Sequence, residues 1–224
     1  MKFLNLIFLS ITVLFIHSCI QDDFVDDKVD PVLRITSLID SLEINTEFQF
    51  ESLYLNNIGN EENASVEWSS SDNTIISIRE DGLATALADG TATIKVSFDD
   101  AGNILEAEQV VHVGDTTIIV DQSIMGSIMT TSSYTLEGDF ILTENSTGIE
   151  IEFLENYAAS TALPGLYIYL SNNRNSVANG FEIGAVDVFN GAHSYEIPGF
   201  SSTDFQYLVY FCKPFNVKVG DGEF

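Results

Sequence analysis

The sequence predicts an all-β fold built from two successive antiparallel β units. Apolar and polar residues alternate in short stretches such as 66–70 and 148–153, and a period of two is typical of strands with one buried face. Clusters of Asn, Asp and Gly separate these stretches, as expected for turns between strands. After the N-terminal segment, no long stretch shows the 3.6-residue period of an amphipathic helix. We therefore expect essentially no helix beyond that segment.

Residues 1–18 have the layout of a secretory signal peptide. One cation, Lys2, precedes the apolar run 3–16, and the small residue Ser18 stands before the expected cleavage point. The apolar run holds 14 residues, whereas a helix that spans a membrane needs about 20. We therefore predict a cleaved signal peptide rather than a transmembrane helix.

Cys19 follows this segment directly, and the arrangement resembles a bacterial lipoprotein signal peptide with its lipobox. The resemblance implies that the signal peptidase cuts after Ser18 and that the Cys19 thiol carries a diacylglycerol with acyl chains such as palmitate. It further implies an outer-membrane protein whose first partner is the membrane, through the lipid anchor. Two or three acyl chains anchor firmly, because each buried CH₂ group contributes about 0.8 kcal/mol.

Residues 19–31 predict an acidic tether between the anchor and the folded part. The segment contains five aspartates and almost no apolar periodicity, a composition that does not form a packed core. Residues 21–23, Gln-Asp-Asp, resemble the acidic export tag of surface-exposed lipoproteins in some Gram-negative lineages. This resemblance implies the extracellular face of the outer membrane, and an ordinary solvated spacer is the alternative.

Residues 32–114 form the first predicted β unit, with Trp68 as its most prominent side chain. Four spaced sequence blocks resemble the bacterial Ig-like domain, group 2, which implies an Ig-like β-sandwich. In that fold Trp68 would fill the core between the sheets, and the alternative is a platform on which a sugar stacks. We favour the core position. The four blocks are residues 66–72, 76–78, 82–86 and 90–94.

Residues 115–132 are predicted to be a linker, because they lack clear alternation after Val120 and carry small polar residues. Two short motifs, Asp-Ser-Leu at 40–42 and Asp-Thr-Thr at 115–117, resemble the O-glycosylation motif of some Gram-negative surface proteins. They make Ser41 and Thr116 candidate glycosylation sites, which the sequence alone leaves open.

Residues 133–224 form the second predicted β unit, an antiparallel β-sandwich or barrel. Blocks of this region resemble the electron-transfer DM-thirteen domain, which carries a cysteine near its C-terminal strand. The resemblance makes Cys212 a redox candidate, since Cys212 stands at the matching place. The blocks are residues 134–138, 163–171, 191–198 and 209–217.

The residues around Cys212 themselves favour a structural role. Cys212 alternates with Leu208 and Tyr210 on one strand face, and free cysteine is among the most buried residue types. Lys213 points to the opposite face, so it does not activate the thiol in the way a reactive cysteine requires. With Cys19 used for the lipid, no internal disulfide can form.

The sequence predicts no metal, no cofactor and no catalytic residue. His112 and His193 lie in different segments, and no cysteine or histidine spacing predicts a zinc site. Glu150 and Glu152 alternate with apolar residues, which favours a solvated strand face over an acid/base pair. The tyrosines of the second unit are predicted to be core and rim, with a carbohydrate groove as the alternative. They are Tyr134, Tyr157, Tyr167, Tyr169, Tyr195, Tyr207 and Tyr210.

The charge excludes nucleic acid as a partner. The chain has 34 acidic and 8 basic residues and a formal charge of −26, whereas phosphate binding requires a basic face. We therefore predict a non-enzymatic binding, adhesion or structural module of the cell surface, with a protein or a glycan as ligand. The alternatives are a redox protein that uses Cys212 and a glycan-binding accessory lipoprotein.

Overall fold

A computed structural model describes residues 27–119 and 123–224. The predicted signal peptide, the lipidation site Cys19 and most of the acidic tether lie outside these residues. The described chain is almost entirely β-sheet, as predicted, and its helical element is one 3₁₀ turn, Lys213–Phe215. Within these residues no helix has the length and apolarity that a membrane crossing requires.

The first β region, residues 27–119, is a sandwich of mostly short strands. A five-stranded sheet has the order β10-β2-β9-β8-β5, and two smaller sheets, β1-β4 and β3-β7-β6, accompany it. The strands are β1 (Val32–Ile35), β2 (Ile39–Glu43), β3 (Glu47–Gln49), β4 (Ser52–Leu55), β5 (Glu67–Ser70), β6 (Ile76–Ile78), β7 (Leu83–Ala86), β8 (Gly90–Asp100), β9 (Asn103–Gly114) and β10 (Ile118–Ile119).

One pair of strands in this region departs from the expected antiparallel pattern. Strand β2 runs parallel to β9, with Ser41 opposite His112. The cause is a change of sheet, because β1 pairs with β4 whereas β2, which begins after three intervening residues, joins the five-stranded sheet. The other pairs of this region are antiparallel, and β8 and β9 form one long hairpin from Gly90 to Gly114.

The core of the first region consists mainly of aliphatic and alanine side chains between the sheets. The alternation predicted from the sequence is present in β8, where Ala92, Ile94 and Val96 are buried and the residues between them are more exposed. Phe50 and Tyr54 add the buried aromatic rings of this cluster. The small side chains allow the sheets to pack closely.

The second β region, residues 123–224, is one nine-stranded antiparallel sheet that curls into a nearly closed barrel. Its order is β16-β15-β18-β19-β11-β12-β13-β17, with β14 paired to β12. The strands are β11 (Ser123–Thr130), β12 (Leu136–Asn145), β13 (Gly148–Phe153), β14 (Ala158–Ala159), β15 (Leu166–Ser171), β16 (Phe181–Ala185), β17 (His193–Pro198), β18 (Tyr207–Cys212) and β19 (Val217–Glu223).

The stretch interpreted as a linker, residues 115–132, contains strands β10 and β11 in the structure. Strand β11 pairs with β12 on one side and with β19 on the other, so it is an integral part of the barrel. Its alternation is hidden in the sequence because apolar residues occupy both faces. Ile128 is 2% exposed in the core, whereas Met125 and Met129, on the other face, are 71% and 67% exposed. A second β unit that begins at residue 133 therefore begins one strand too late.

Candidate binding cleft between the two β regions

A cleft of about 1330 Å³ lies between the first and the second β region. Residues 64–68, which lead into β5, the β3–β4 connection at 49–53 and the turn at 59–61 form one wall, and the loop at 199–205 forms much of the other. The cleft brings together side chains from sequence segments that are more than a hundred residues apart. Its lining consists of Thr36, Gln49, Phe50, Glu51, Ser52, Leu53, Gly59, Asn60, Glu61, Ala64, Ser65, Val66, Trp68, Glu80, Asp81, Asn172, Asn179, Gly199, Phe200, Ser201, Thr203, Asp204 and Phe205.

Polar contacts join the two regions beside the cleft. Arg34 Nη2 of the first region donates to Asn172 Oδ1 at 3.1 Å, and within the second region Asn172 Nδ2 donates to the Asp204 carbonyl at 2.7 Å. Asn173 Nδ2 donates to the Ile58 carbonyl of the first region at 3.1 Å. Burial lowers the pKa of Arg34 to about 10 and the nearby Asp204 opposes that shift, so the guanidinium stays charged at neutral pH.

Gly59 lies at a close backbone approach of the two regions. Its φ of +76° belongs to the left-handed region that favours glycine. A Cβ atom at this position would lie 2.5 Å from the carbonyl oxygen of Asn172. The close backbone approach therefore requires glycine for two independent reasons.

Aromatic side chains line both walls. Trp68 is half-buried and packs against Phe50, with ring centroids 5.9 Å apart. Across the cleft Phe200 packs against Phe205 at 5.2 Å. Trp68, predicted to fill the core between the sheets, packs against the core cluster at its margin and also lines the cleft. Strand β5 is the last strand of its sheet, so its side chains are covered from fewer directions.

The charged side chains that line the cleft are all acidic. The described lining contains no Lys, Arg or His. Asp204 Oδ2 accepts a hydrogen bond from the Ser201 N–H at 2.7 Å, and Asp81 forms an exposed ion pair with Arg79 at 2.8 Å. The acidic lining residues are Glu51, Glu61, Glu80, Asp81 and Asp204.

Cys212 lies away from the cleft, in the core of the second region. It is 1% exposed and shares the core with Leu208 and Tyr210, and its Sγ donates to the Pro164 carbonyl at 3.5 Å. The Lys213 ammonium lies outside the barrel, 3.8 Å from the ring centroid of Tyr167. The buried thiol faces apolar and aromatic neighbours rather than a cation, which is the setting of a structural cysteine.

A buried polar cluster in the same core was not predicted from the sequence. His193 Nδ1 donates to the Gly191 carbonyl at 2.9 Å, and Nε2 is the other ring nitrogen. Within the described residues, this Nε2 and the hydroxyls of Tyr157 and Tyr210 are buried without a hydrogen bond of normal geometry. The two hydroxyls are nevertheless close enough for each tyrosine to shift the pKa of the other. Burial raises the pKa of Tyr210 well above its usual range, and the neighbouring Tyr157 adds to the shift.

The remaining candidates of the sequence analysis, His112, Ser41 and Thr116, lie in one part of the first region. His112 contacts the Thr91 hydroxyl on the surface, with Nδ1 2.9 Å from Oγ1. Within the described part of the chain, no three His, Cys, Asp or Glu residues are arranged to hold a metal ion. The two candidate glycosylation residues lie side by side, because Ser41 Oγ donates to the Thr116 carbonyl at 2.6 Å.

A comparison of the chain with curated proteins found no match. A comparison with protein families found one for the first region, where the bacterial Ig-like domain (group 2) matches residues 49–108. The matched segment runs from the end of β3 into β9 and includes Trp68 and the wall of the cleft that β5 forms. Residues 49–108 are thus similar to the bacterial Ig-like domain of group 2, as the four sequence blocks predicted.

Proposed function

We propose that the chain is a lipid-anchored, non-enzymatic binding module on the extracellular face of the outer membrane. The observation that carries this proposal is the cleft of about 1330 Å³ between the two regions, with aromatic rings on both walls. A concave site lined by aromatic side chains and a few polar groups is the usual setting for ligand binding. Bacterial Ig-like domains are modules of surface and adhesion proteins, which agrees with this function.

The anchor is the part of the proposal that rests on Cys19. We expect Cys19→Ala to abolish lipidation and cleavage by the lipoprotein signal peptidase, so that the precursor accumulates. Labelled palmitate measures the first effect, and the size of the protein on a denaturing gel measures the second. Palmitate that persists in the variant would show that the lipid is attached elsewhere.

The binding site is testable with the protein's own fluorescence, because Trp68 is its only tryptophan. The full mature protein would be titrated with a panel of neutral oligosaccharides, basic peptides and acidic peptides. We expect at least one class to change the Trp68 emission in a saturable way. Ser65→Phe should weaken that response because Ser65 lines the cleft.

Ser194→Phe is the matched control for this substitution. Ser194 is also exposed and lies on β17, outside the cleft lining. A ligand whose affinity falls equally in both variants binds elsewhere on the protein. A melting temperature shared by both variants ensures that the comparison concerns binding rather than folding.

A redox function of Cys212, the alternative that follows from the resemblance to the DM-thirteen domain, has less support from the geometry. The thiol is 1% exposed, whereas thiol exchange requires an accessible thiolate. We expect a thiol reagent to label Cys212 only after denaturation. Fast stoichiometric labelling of the folded protein would favour the redox function.

A further inference from the structure

We propose that the cleft binds an extended, basic peptide segment, which adds as a strand to the edge of β5. This inference rests on the proposed function, since it names the ligand class of the same cleft. It combines the edge of a sheet, the acidic lining and the aromatic walls.

Strand β5 is the terminal strand of its sheet that borders the cleft. Within the described residues, it is the terminal strand of the five-stranded sheet and pairs with β8 alone. Val66, just before the strand, and Trp68, within it, both line the cleft. An edge strand carries backbone N–H and C=O groups that an extended peptide can bind.

The two edges of this sheet differ in how far they are protected. Strand β10, at the opposite edge, has a register irregularity between Ile118 and Ile119, and such an irregularity hinders strand addition. Strand β5 keeps an uninterrupted register over Glu67–Ser70 and contains no proline or lysine. Edges are usually blunted by irregular register, proline or lysine, and β5 has none of these, so it is the edge of this sheet better suited to a partner.

Charge selects a basic partner. The cleft lining contains five carboxylates and no cation within the described residues, and Glu67 adds an exposed carboxylate on the edge strand itself. A residue directly opposite in an added strand interacts best when its charge is opposite. A cleft lined by one sign of charge also attracts ligands of the other sign, and the protein as a whole carries −26.

The aromatic side chains support the same ligand. Lysine and arginine bind favourably over aromatic faces, and Trp68, Phe200 and Phe205 are only partly buried in the cleft lining. A neutral glycan would also stack on these rings, but it carries no positive charge for the carboxylates to attract. The dependence of binding on salt therefore distinguishes the two ligands.

The test uses the full mature protein and the synthetic peptide acetyl-(Lys-Thr)₄-amide, which alternates charge as a strand does. We expect a saturable change in Trp68 emission, weakened on the order of tenfold when salt rises from low to about 0.5 M, because surface charges are then screened. The peptide acetyl-(Glu-Thr)₄-amide should give no change. An equal response to both peptides would overturn the role of charge.

Two variants of equal net charge locate the site. In the first, the cleft carboxylates Glu51, Glu61 and Glu80 are replaced by glutamine, and in the second the same change is made at Glu137, Glu152 and Glu196. All six residues are exposed, and only the first set lines the cleft. We expect an affinity loss on the order of tenfold in the first variant, since each exposed ion pair contributes about 0.2–1 kcal/mol. A similar loss in both variants would overturn the assignment to the cleft.

Strand addition is tested with two forms of the basic peptide that carry N-methyl groups on alternate residues, one form for each register. Only one register of amides faces the edge of β5, so we expect one methylated form to lose binding and the other to keep it. Equal binding of the two forms would overturn strand addition.

If a neutral hexasaccharide such as cellohexaose alone binds in the cleft, the peptide is the wrong ligand class and the proposed function stands. If no member of the panel gives a response sensitive to Ser65→Phe, the proposed function fails too.

Discussion

The cores of the two β regions are built differently. The first divides its strands among sheets of two, five and three strands and fills the space between them with side chains such as Ala84, Ala92 and Ile94. The second curls one nine-stranded sheet around large rings, among them Phe153 and Tyr210. Small side chains permit thin, closely spaced sheets, whereas a barrel of this size requires bulky residues to fill its interior.

The difference has a consequence for polar groups. In the first region the turns are held by local hydrogen bonds on the surface, such as the two that Asp72 Oδ1 accepts from the N–H and the hydroxyl of Thr74. In the second region large side chains bring hydroxyls into the core, and those of Tyr157 and Tyr210 have no hydrogen bond of normal geometry among the described residues. Tyrosine side chains thus fill the interior of the barrel, but they also place polar hydroxyl groups in its core.

Truncation of a core ring in each region tests whether the two cores are independent. Phe50→Ala in the first region and Phe153→Ala in the second should each cost about 3–5 kcal/mol of unfolding free energy, because both side chains are at most 1% exposed. Calorimetry should show two transitions, of which each variant lowers one. Parallel shifts of both transitions would mean that the regions unfold as one unit.

Trp68→Ala serves as the internal comparison for Phe50→Ala. Trp68 has the larger ring, yet it is only half-buried at the margin of the core. We therefore expect a smaller loss than for Phe50→Ala, although side-chain size alone would predict a larger one.

The junction between the two regions is tested by Gly59→Ala, with Gly102→Ala as its matched control. Both glycines have positive φ, so each substitution introduces strain of about 1–2 kcal/mol. Only Gly59 also meets a neighbour, the Asn172 carbonyl, whereas nothing lies within 4 Å of the position that a Cβ of Gly102 would take. We expect Gly59→Ala to lower the free energy of unfolding more than Gly102→Ala does. It should also increase the radius of gyration of the protein measured by solution scattering. Equal losses of unfolding free energy and an unchanged radius of gyration would show that the close approach contributes nothing to the junction.

The sequence predicts the strands of this protein best where one face of the strand is polar and exposed to solvent. The alternation around Trp68 and Ile94 correctly indicated strands, and the alternation of Cys212 with Tyr210 correctly indicated their shared face. It failed to indicate β11, because Met125 and Met129 are apolar on the exposed face. Local pattern carries no information about which apolar face is covered.

The cleft could not be predicted for a different reason. It depends on contacts such as that between Arg34 and Asn172, which are 138 positions apart, and neither residue belongs to a motif. Residues of the cleft such as Ser65 and Thr203 resemble any exposed turn residues until the two regions are placed together. The sequence also did not predict the buried cluster of Tyr157, Tyr210 and His193, because its members come from three separate segments.

Acidification should loosen the second region at the cleft wall. Burial by itself would raise the pKa of Glu144, but hydrogen bonds from the Ser202 N–H and from the hydroxyls of Ser202 and Ser201 outweigh it, so the pKa is lowered. A carboxyl group with a lowered pKa in the folded state stabilises above its unfolded pKa, near 4.5, and this contribution disappears as the pH falls through the folded value. Glu144→Gln should therefore flatten the loss of stability below about pH 4.5.

Glu137→Gln is the control for this measurement. Glu137 lies on the same strand, β12, and is exposed without the serine hydrogen bonds that hold Glu144. Urea unfolding curves between pH 3 and 7 would compare the two variants with the parent. If the unfolding free energy of Glu144→Gln falls with acid as steeply as that of the parent protein, other carboxylates cause the pH dependence.

The smallest expected effects concern the tyrosine hydroxyls, and they bear directly on how the barrel differs from the sandwich. A buried hydroxyl without a partner costs about 1–3 kcal/mol relative to its hydrated state, so Tyr157→Phe and Tyr210→Phe should be neutral or slightly stabilising. Tyr169→Phe is the contrast, because its hydroxyl donates to Glu182 Oε2 at 2.7 Å and its loss should cost about 0.5–1.5 kcal/mol. The raised pKa of Tyr210 keeps its hydroxyl protonated in the folded state, while the unfolded chain ionises near pH 10. Stability should therefore fall as the pH rises above 10, and Tyr210→Phe should reduce that fall. A clear loss of stability at neutral pH in both core variants would instead show that the two hydroxyls and His193 bind one another, and that the barrel satisfies its polar atoms as fully as the sandwich does.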